Sequence, residues 1–125
     1  MNLEIDEYKD IAKKVRFLVL NGDLIDGIGI YPEQEKELSI KEVKKQYDQL
    51  YEFLSRVPKN IKLIINQGNH DATRIAEPQP ILDPYFGESL YKLENAVFVS
   101  NPSTLDLIVE GFKRKLLIYH GFSIM

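Results

Sequence analysis

The chain has 125 residues, 44% of them apolar and 28% charged, enough for one compact domain and not for two. A net charge of -3 argues against a strongly basic nucleic-acid-binding module, and the absence of cysteine excludes disulfides and thiolate metal sites. No stretch is long or apolar enough to span a membrane and no signal-peptide pattern opens the chain, which fits a cytoplasmic protein.

Tyr8, Ile11, Ala12 and Val15 recur at helical spacing, so residues 7–15 read as the tail of a helix. The apolar run Phe17-Leu18-Val19-Leu20 predicts a first strand over residues 16–21. A glycine-rich loop over residues 22–37 follows, with Pro32 breaking regular structure. A helix is predicted from Ser39, where Ser39 and Glu42 form a capping box. Its apolar stripe is Ile40, Val43, Tyr47, Leu50 and Leu54, and Pro58 stops it. A second strand covers residues 61–66. Pro78 and Pro80 keep the segment 77–80 out of helix interiors and central strands. A short helical turn is expected near residues 88–93. Strands then follow at 96–100, 104–110 and 113–119, the last two joined at Gly111-Phe112. The order α-β-α-β followed by β-β-β argues an α/β sandwich with mixed strand directions.

Two motifs carry the chemistry. Gly22-Asp23-Leu24-Ile25-Asp26 and Gly68-Asn69-His70-Asp71 each follow an apolar strand, and so sit at strand carboxyl ends, where open α/β sheets bind ligands. Asp23 has two oxygens and is placed to bridge two cations. Such a pair, held about 3.5–4 Å apart, clamps the attacking and leaving oxygens of a phosphoryl displacement. Asn69 offers a neutral carbonyl oxygen. His70 is placed to protonate a leaving oxygen, with Asp71 to orient its ring. A third strand ends at His120 before Gly121, and a neutral imidazole suits manganese, iron or zinc better than calcium. The three loops share one rim if the strands are parallel. Arg74, just past the second motif, is a candidate contact for a substrate phosphate. Asp26 reads as a supporting residue and not as a ligand. Gly-Asp by itself is also an ordinary turn. Gly27-Ile28-Gly29 lacks the third glycine and the helix of a dinucleotide site, and residues 41–45 read as a solvated helix face.

These residues resemble motifs two, three and four of the calcineurin-like metallophosphoesterases. More narrowly, residues 22–32, Gln67 to Ala72, Ala76 to Pro80, Asn101-Pro102 and Tyr119 to Ser123 resemble the small subunits of archaeal family D DNA polymerases. The resemblance implies a mixed-sheet αββα sandwich with two divalent metal ions, usually manganese. It implies a proofreading 3′–5′ exonuclease acting on DNA beside a large polymerase subunit. It makes Asp23 the bridging ligand, Asn69 and His120 ligands of the second metal, and His70 the histidine beside the scissile phosphate. The modest acidity of the chain does not conflict with DNA, because bound cations invert the local field.

The family's first motif, Asp-x-His, and its last, Gly-His-x-His, are not present in the chain. Residues 1–125 are therefore expected to be a central part of the catalytic domain, inactive alone. Self-association through an exposed sheet edge is expected. Two alternatives stand beside the exonuclease: a noncatalytic scaffold subunit of a polymerase, and a general phosphatase of the same superfamily.

Overall fold

Strands buried on both faces show unbroken apolar runs, and the run before the second motif folds in that way. The computed structural model describes residues 9–36, 38 and 42–121. In it β1 (Phe17–Asn21), β2 (Lys62–Asn66) and β3 (Ala96–Phe98) form a parallel sheet in that order. Leu63, Ile64 and Ile65 of the central β2 are all buried. Leu20 pairs with Ile65 and Asn21 with Asn66, so β1 and β2 end at the same level. The loops that follow leave the sheet side by side, and this register is what brings the two motifs together.

One turn of helix, α1 (Lys9–Ala12), precedes β1; residues 7 and 8 of the expected helix lie outside the described residues. The long helix α2 (Val43–Leu54) lays its stripe on the sheet. Tyr47 and Leu54 join Val57, Leu63, Ile65, Leu82 and Leu90 in one core, with Val43 and Leu50 packed against it. Ile40 and Ser39 lie outside the described residues. Glu42 is extended and precedes the first helical residue, with no side-chain capping bond, so it is not the third helical residue that the capping box required. The helix closes at Ser55, whose amide donates to the Tyr51 carbonyl at 2.8 Å, before Pro58 is reached.

Buried polar groups tie this helix to the loops. The Tyr47 hydroxyl donates to Asp71 Oδ1 at 2.8 Å and accepts the Ala72 amide at 3.0 Å. Burial, then the neighbouring Asp71, raises the Tyr47 pKa well above the ordinary phenol value, so the shared proton stays on the phenol. Tyr47→Phe strips partners from a buried carboxylate and a backbone amide. It is expected to lower stability by about 2 kcal/mol in urea unfolding followed by circular dichroism.

Residues 22–36 have no sheet partner, and their backbone is held by two buried glutamines instead. Gln46 Oε1 accepts the Gly27 amide at 2.9 Å, and its Nε2 donates back to the Gly27 carbonyl at 3.3 Å. Gln34, in the 3-10 turn Gln34–Lys36, accepts the Ile30 amide at 2.9 Å and donates to the Asp26 carbonyl at 2.7 Å.

The second half begins with a 3-10 turn at Leu90–Lys92, where a helical turn was expected. β4 (Ser103–Val109) and β5 (Phe112–Ile118) then form an antiparallel hairpin. Val109 pairs with Phe112, so the turn is Glu110-Gly111, one residue earlier than expected. Among the described residues β5 pairs with β4 alone and does not take a central place beside the parallel strands. Its end still reaches the end of β1, where Asn21 Nδ2 donates to the Tyr119 carbonyl at 3.1 Å. Residues 77–80 form neither helix nor regular strand, as the prolines require; Gln79 makes one isolated bridge to Asn101. The architecture is the expected mixed α/β, with a parallel and an antiparallel sheet. No helix among the described residues is long and apolar enough to cross a membrane.

Candidate metal centre

The two motif glycines let three chain segments meet. A Cβ on Gly22 would lie 2.4 Å from His120 Nδ1 and 2.9 Å from the Cα of Gly68. A Cβ on Gly68 would lie 2.5 Å from both the amide nitrogen and Oδ1 of Asp23, and 2.8 Å from His120 Cε1. No side chain fits at either position. Gly22 also has φ +81, and Asp23 follows with φ 50, an uncommon conformation for a residue with a side chain. That backbone turns the Asp23 carboxylate over the end of the sheet, where the His70 amide donates to Oδ1 at 2.9 Å. Gly68→Ala is therefore expected to keep the core but part Asp23 from His120. Mn2+ affinity should fall by about tenfold or more in a titration followed by electron paramagnetic resonance.

His120 is held by its ring. Nδ1 lies 2.8 Å from the Asn21 carbonyl, which only accepts, so Nδ1 carries a proton and Nε2 points inward. Nε2 lies 3.1 Å from Asn69 Oδ1 and 3.4 Å from Asp23 Oδ1. Nε2 is thus within 3.4 Å of two acceptor oxygens, and a cation in place of its proton would be held by all three atoms. Donor atoms about 2.1 Å from one cation, at angles between octahedral and tetrahedral, lie about 3.0–3.4 Å apart. The observed spacings match. Carboxylate, amide and imidazole suit a first-row divalent ion, so the residues fit the metal that the sequence implies. Among the described residues no three His, Asp or Glu side chains form a group that could hold a metal ion, so such a site would need the amide oxygen of Asn69. Asp23 Oδ2 lies 4.0 Å from Nε2 of His70.

His70 is oriented by a backbone group, not by its neighbour. Its Nδ1 lies 3.0 Å from the Asp26 carbonyl, the same oxygen that Gln34 binds. Nδ1 thus donates, and Nε2 is the nitrogen free to act at the site. Asp71, expected to hold this ring, is committed elsewhere. Its Oδ2 accepts the amides of Gly68 at 2.8 Å and Leu24 at 3.2 Å, and its Oδ1 takes the Tyr47 hydroxyl. Burial raises the pKa of this carboxyl, against the opposing pull of those three donors. Asp71 therefore clasps the two motif loops to α2 and does not touch the imidazole. Arg74 is not aimed at a substrate phosphate as expected. Its Nε donates to the Pro78 carbonyl at 2.9 Å, and Nη2 donates to the same oxygen. Two of its donors are spent on the segment 77–80. Sequence reading assigned Tyr47 only to the core and gave no part to Gln34, Gln46, Gln79 or Asn101. Their signal was amide side chains beside glycine and proline loops that have no regular backbone partners.

Comparison with known proteins identifies the family. The calcineurin-like phosphoesterase family model matches residues 4–124. The chain is 44% identical over 118 residues to the DNA polymerase II small subunit of Methanothermobacter thermautotrophicus, covering 94% of this chain and 24% of that protein. It is 46% identical over 118 residues to the one from Archaeoglobus fulgidus, covering 93% of this chain and 22% of that protein. For Pyrococcus furiosus the figures are 42% over 120 residues, 96% and 19%. The chain thus spans about a fifth to a quarter of the length of the curated relatives it matches. The resemblance to archaeal polymerase small subunits is borne out. With nearly every residue inside the family match, the chain belongs to the calcineurin-like phosphoesterases.

Proposed function

We propose that this chain carries part of the catalytic centre of a metal-dependent 3′–5′ exonuclease, the proofreading small subunit of an archaeal replicative DNA polymerase. The reading is supported by one observation above the rest: His120 Nε2 lies 3.1 Å from Asn69 Oδ1 and 3.4 Å from Asp23 Oδ1, whose other oxygen is 4.0 Å from His70 Nε2. The names of the relatives supply the setting. Residues 1–125 are part of one metallophosphoesterase domain in the cytoplasm. Its partners are DNA and a large polymerase subunit.

Asp23, Asn69 and His120 would hold one divalent ion, manganese first among candidates, and the second oxygen of Asp23 would be available to a second ion. When bound, such ions polarise a phosphoryl oxygen and supply a nucleophilic water at neutral pH. The Asp26 carbonyl fixes the His70 ring through Nδ1 and leaves Nε2 to face the substrate. A protonated Nε2 there binds a phosphoryl oxygen or gives its proton to the leaving 3′ oxygen. The isolated chain is expected to be inactive and to self-associate through β1, an edge strand of the described sheet.

The test is turnover by the full-length protein with Mn2+, on 5′-labelled single-stranded DNA and on a phosphomonoester. DNA shortening from the 3′ end with little phosphomonoester cleavage is the expected result. Preference for the phosphomonoester, or no hydrolysis of either, would replace this reading with the general phosphatase or the scaffold subunit.

A further inference from the structure

Two amide side chains behind the centre are more deeply buried than the ligands they adjoin. Asn101 is 0% exposed and Gln79 2% exposed. Buried amides are costly unless their donors and acceptors are met, and this pair meets them on the backbone that carries the ligands. Asn101 Oδ1 accepts the His120 amide at 2.9 Å. Asn101 Nδ2 donates to Gln79 Oε1 at 2.6 Å. Gln79 Nε2 donates to the carbonyls of Gly68, just before Asn69, at 3.2 Å and of Arg74 at 2.8 Å. The backbones of Gln79 and Asn101 also bond each other in both directions, at 2.8 and 2.9 Å.

Asn69 follows β2 and His120 follows β5, strands of different sheets, so no ladder sets their distance directly. The amide pair makes one connection, beside the Asn21 bonds to the Tyr119 carbonyl and the His120 ring. It runs from the carbonyl that precedes one ligand to the amide of the other. Each amide has its orientation fixed, because reversing either would set donor against donor or acceptor against acceptor.

We propose that Gln79 and Asn101 are positioning residues for the cation, holding the Asn69 oxygen and the His120 imidazole at the spacing one metal ion requires. The proposal rests on the metal reading above. Neither side chain touches the ion. Outer groups of this kind typically change metal affinity by about 10–100-fold.

The test is Mn2+ titration by electron paramagnetic resonance on the full-length protein carrying Asn101→Leu, Asn101→Asp or Gln79→Leu, with unfolding temperatures recorded without metal. Failure of the unaltered protein to bind Mn2+ sinks the metal reading itself, and so is distinct from the outcomes for the variants. Asn101→Leu and Gln79→Leu are expected to weaken Mn2+ binding about tenfold or more. Asn101→Asp keeps the acceptor opposite the His120 amide but sets its second oxygen against Gln79 Oε1, so it too is expected to weaken Mn2+ binding. A merely structural role would lower the unfolding temperature and leave the affinity of the folded protein unchanged. Either leucine variant, folded and binding Mn2+ within about twofold of the unaltered protein, overturns the proposal; the twofold limit lies well inside the usual range for such groups. Should Asn101→Leu not fold, Gln79→Leu decides the matter by the same affinity criterion.

Discussion

Asp23→Ala in the full-length protein is expected to abolish the proposed exonuclease turnover and to lower Mn2+ affinity by more than about 10²-fold, beyond the range seen for groups that only support ligands. The reason is the double use of one carboxylate. Oδ1 completes the acceptor triangle with His120 Nε2, 3.4 Å away, and Oδ2 faces His70 Nε2 at 4.0 Å. Removing it leaves two neutral donors, Asn69 and His120, to balance a doubly charged ion. Asp26→Ala is the matched control. Asp26 serves the site through its carbonyl, which binds His70 Nδ1 at 3.0 Å, and alanine keeps that group. Its Mn2+ affinity should match that of the unaltered protein. Equal losses from Asp23→Ala and Asp26→Ala in parallel titrations would refute this division of roles.

His70→Ala has the second large effect, and of a different kind. Turnover at saturating Mn2+ should fall by about 10²–10⁴-fold, the usual span for a proton-transferring group, with Mn2+ binding retained. Affinity is spared because His70 supports Asp23 through its backbone amide, at 2.9 Å from Oδ1, and alanine has the same amide. The imidazole contributes only to the chemical step. Single-turnover rates and metal titrations on one preparation separate these effects. A variant that loses metal and turnover together would place His70 among the ligands.

The parts of this picture that were legible in the chain are those written in local pattern. The parallel strands showed as apolar runs before Gly22 and Gly68, and α2 as the spacing from Val43 through Tyr47 to Leu54. The ligand-type residues were visible because glycine-started loops at strand ends favour them. The helix start was misread because Glu42 offers a cap by sequence but is extended in the fold. Asp71 was misassigned because adjacency to His70 suggested contact. Its carboxylate instead turns inward to the amides of Gly68 and Leu24 and the Tyr47 hydroxyl, partners up to 47 residues distant. Arg74 was misdirected for a similar reason, since its partner carbonyl lies on a proline turn with no periodic signal. The Gln79–Asn101 pair was invisible as a unit because only the fold brings those two loops together.

The convergence of three side chains on one ion is tested most directly by diffraction from Mn2+-soaked crystals of the full-length protein, collected at the manganese absorption edge. An anomalous peak within about 2.0–2.3 Å of Asp23 Oδ1, Asn69 Oδ1 and His120 Nε2 is the predicted result, that range being normal for first-row and hard divalent ions. A manganese peak elsewhere, with these three atoms bonded only to protein and water, would contradict the account.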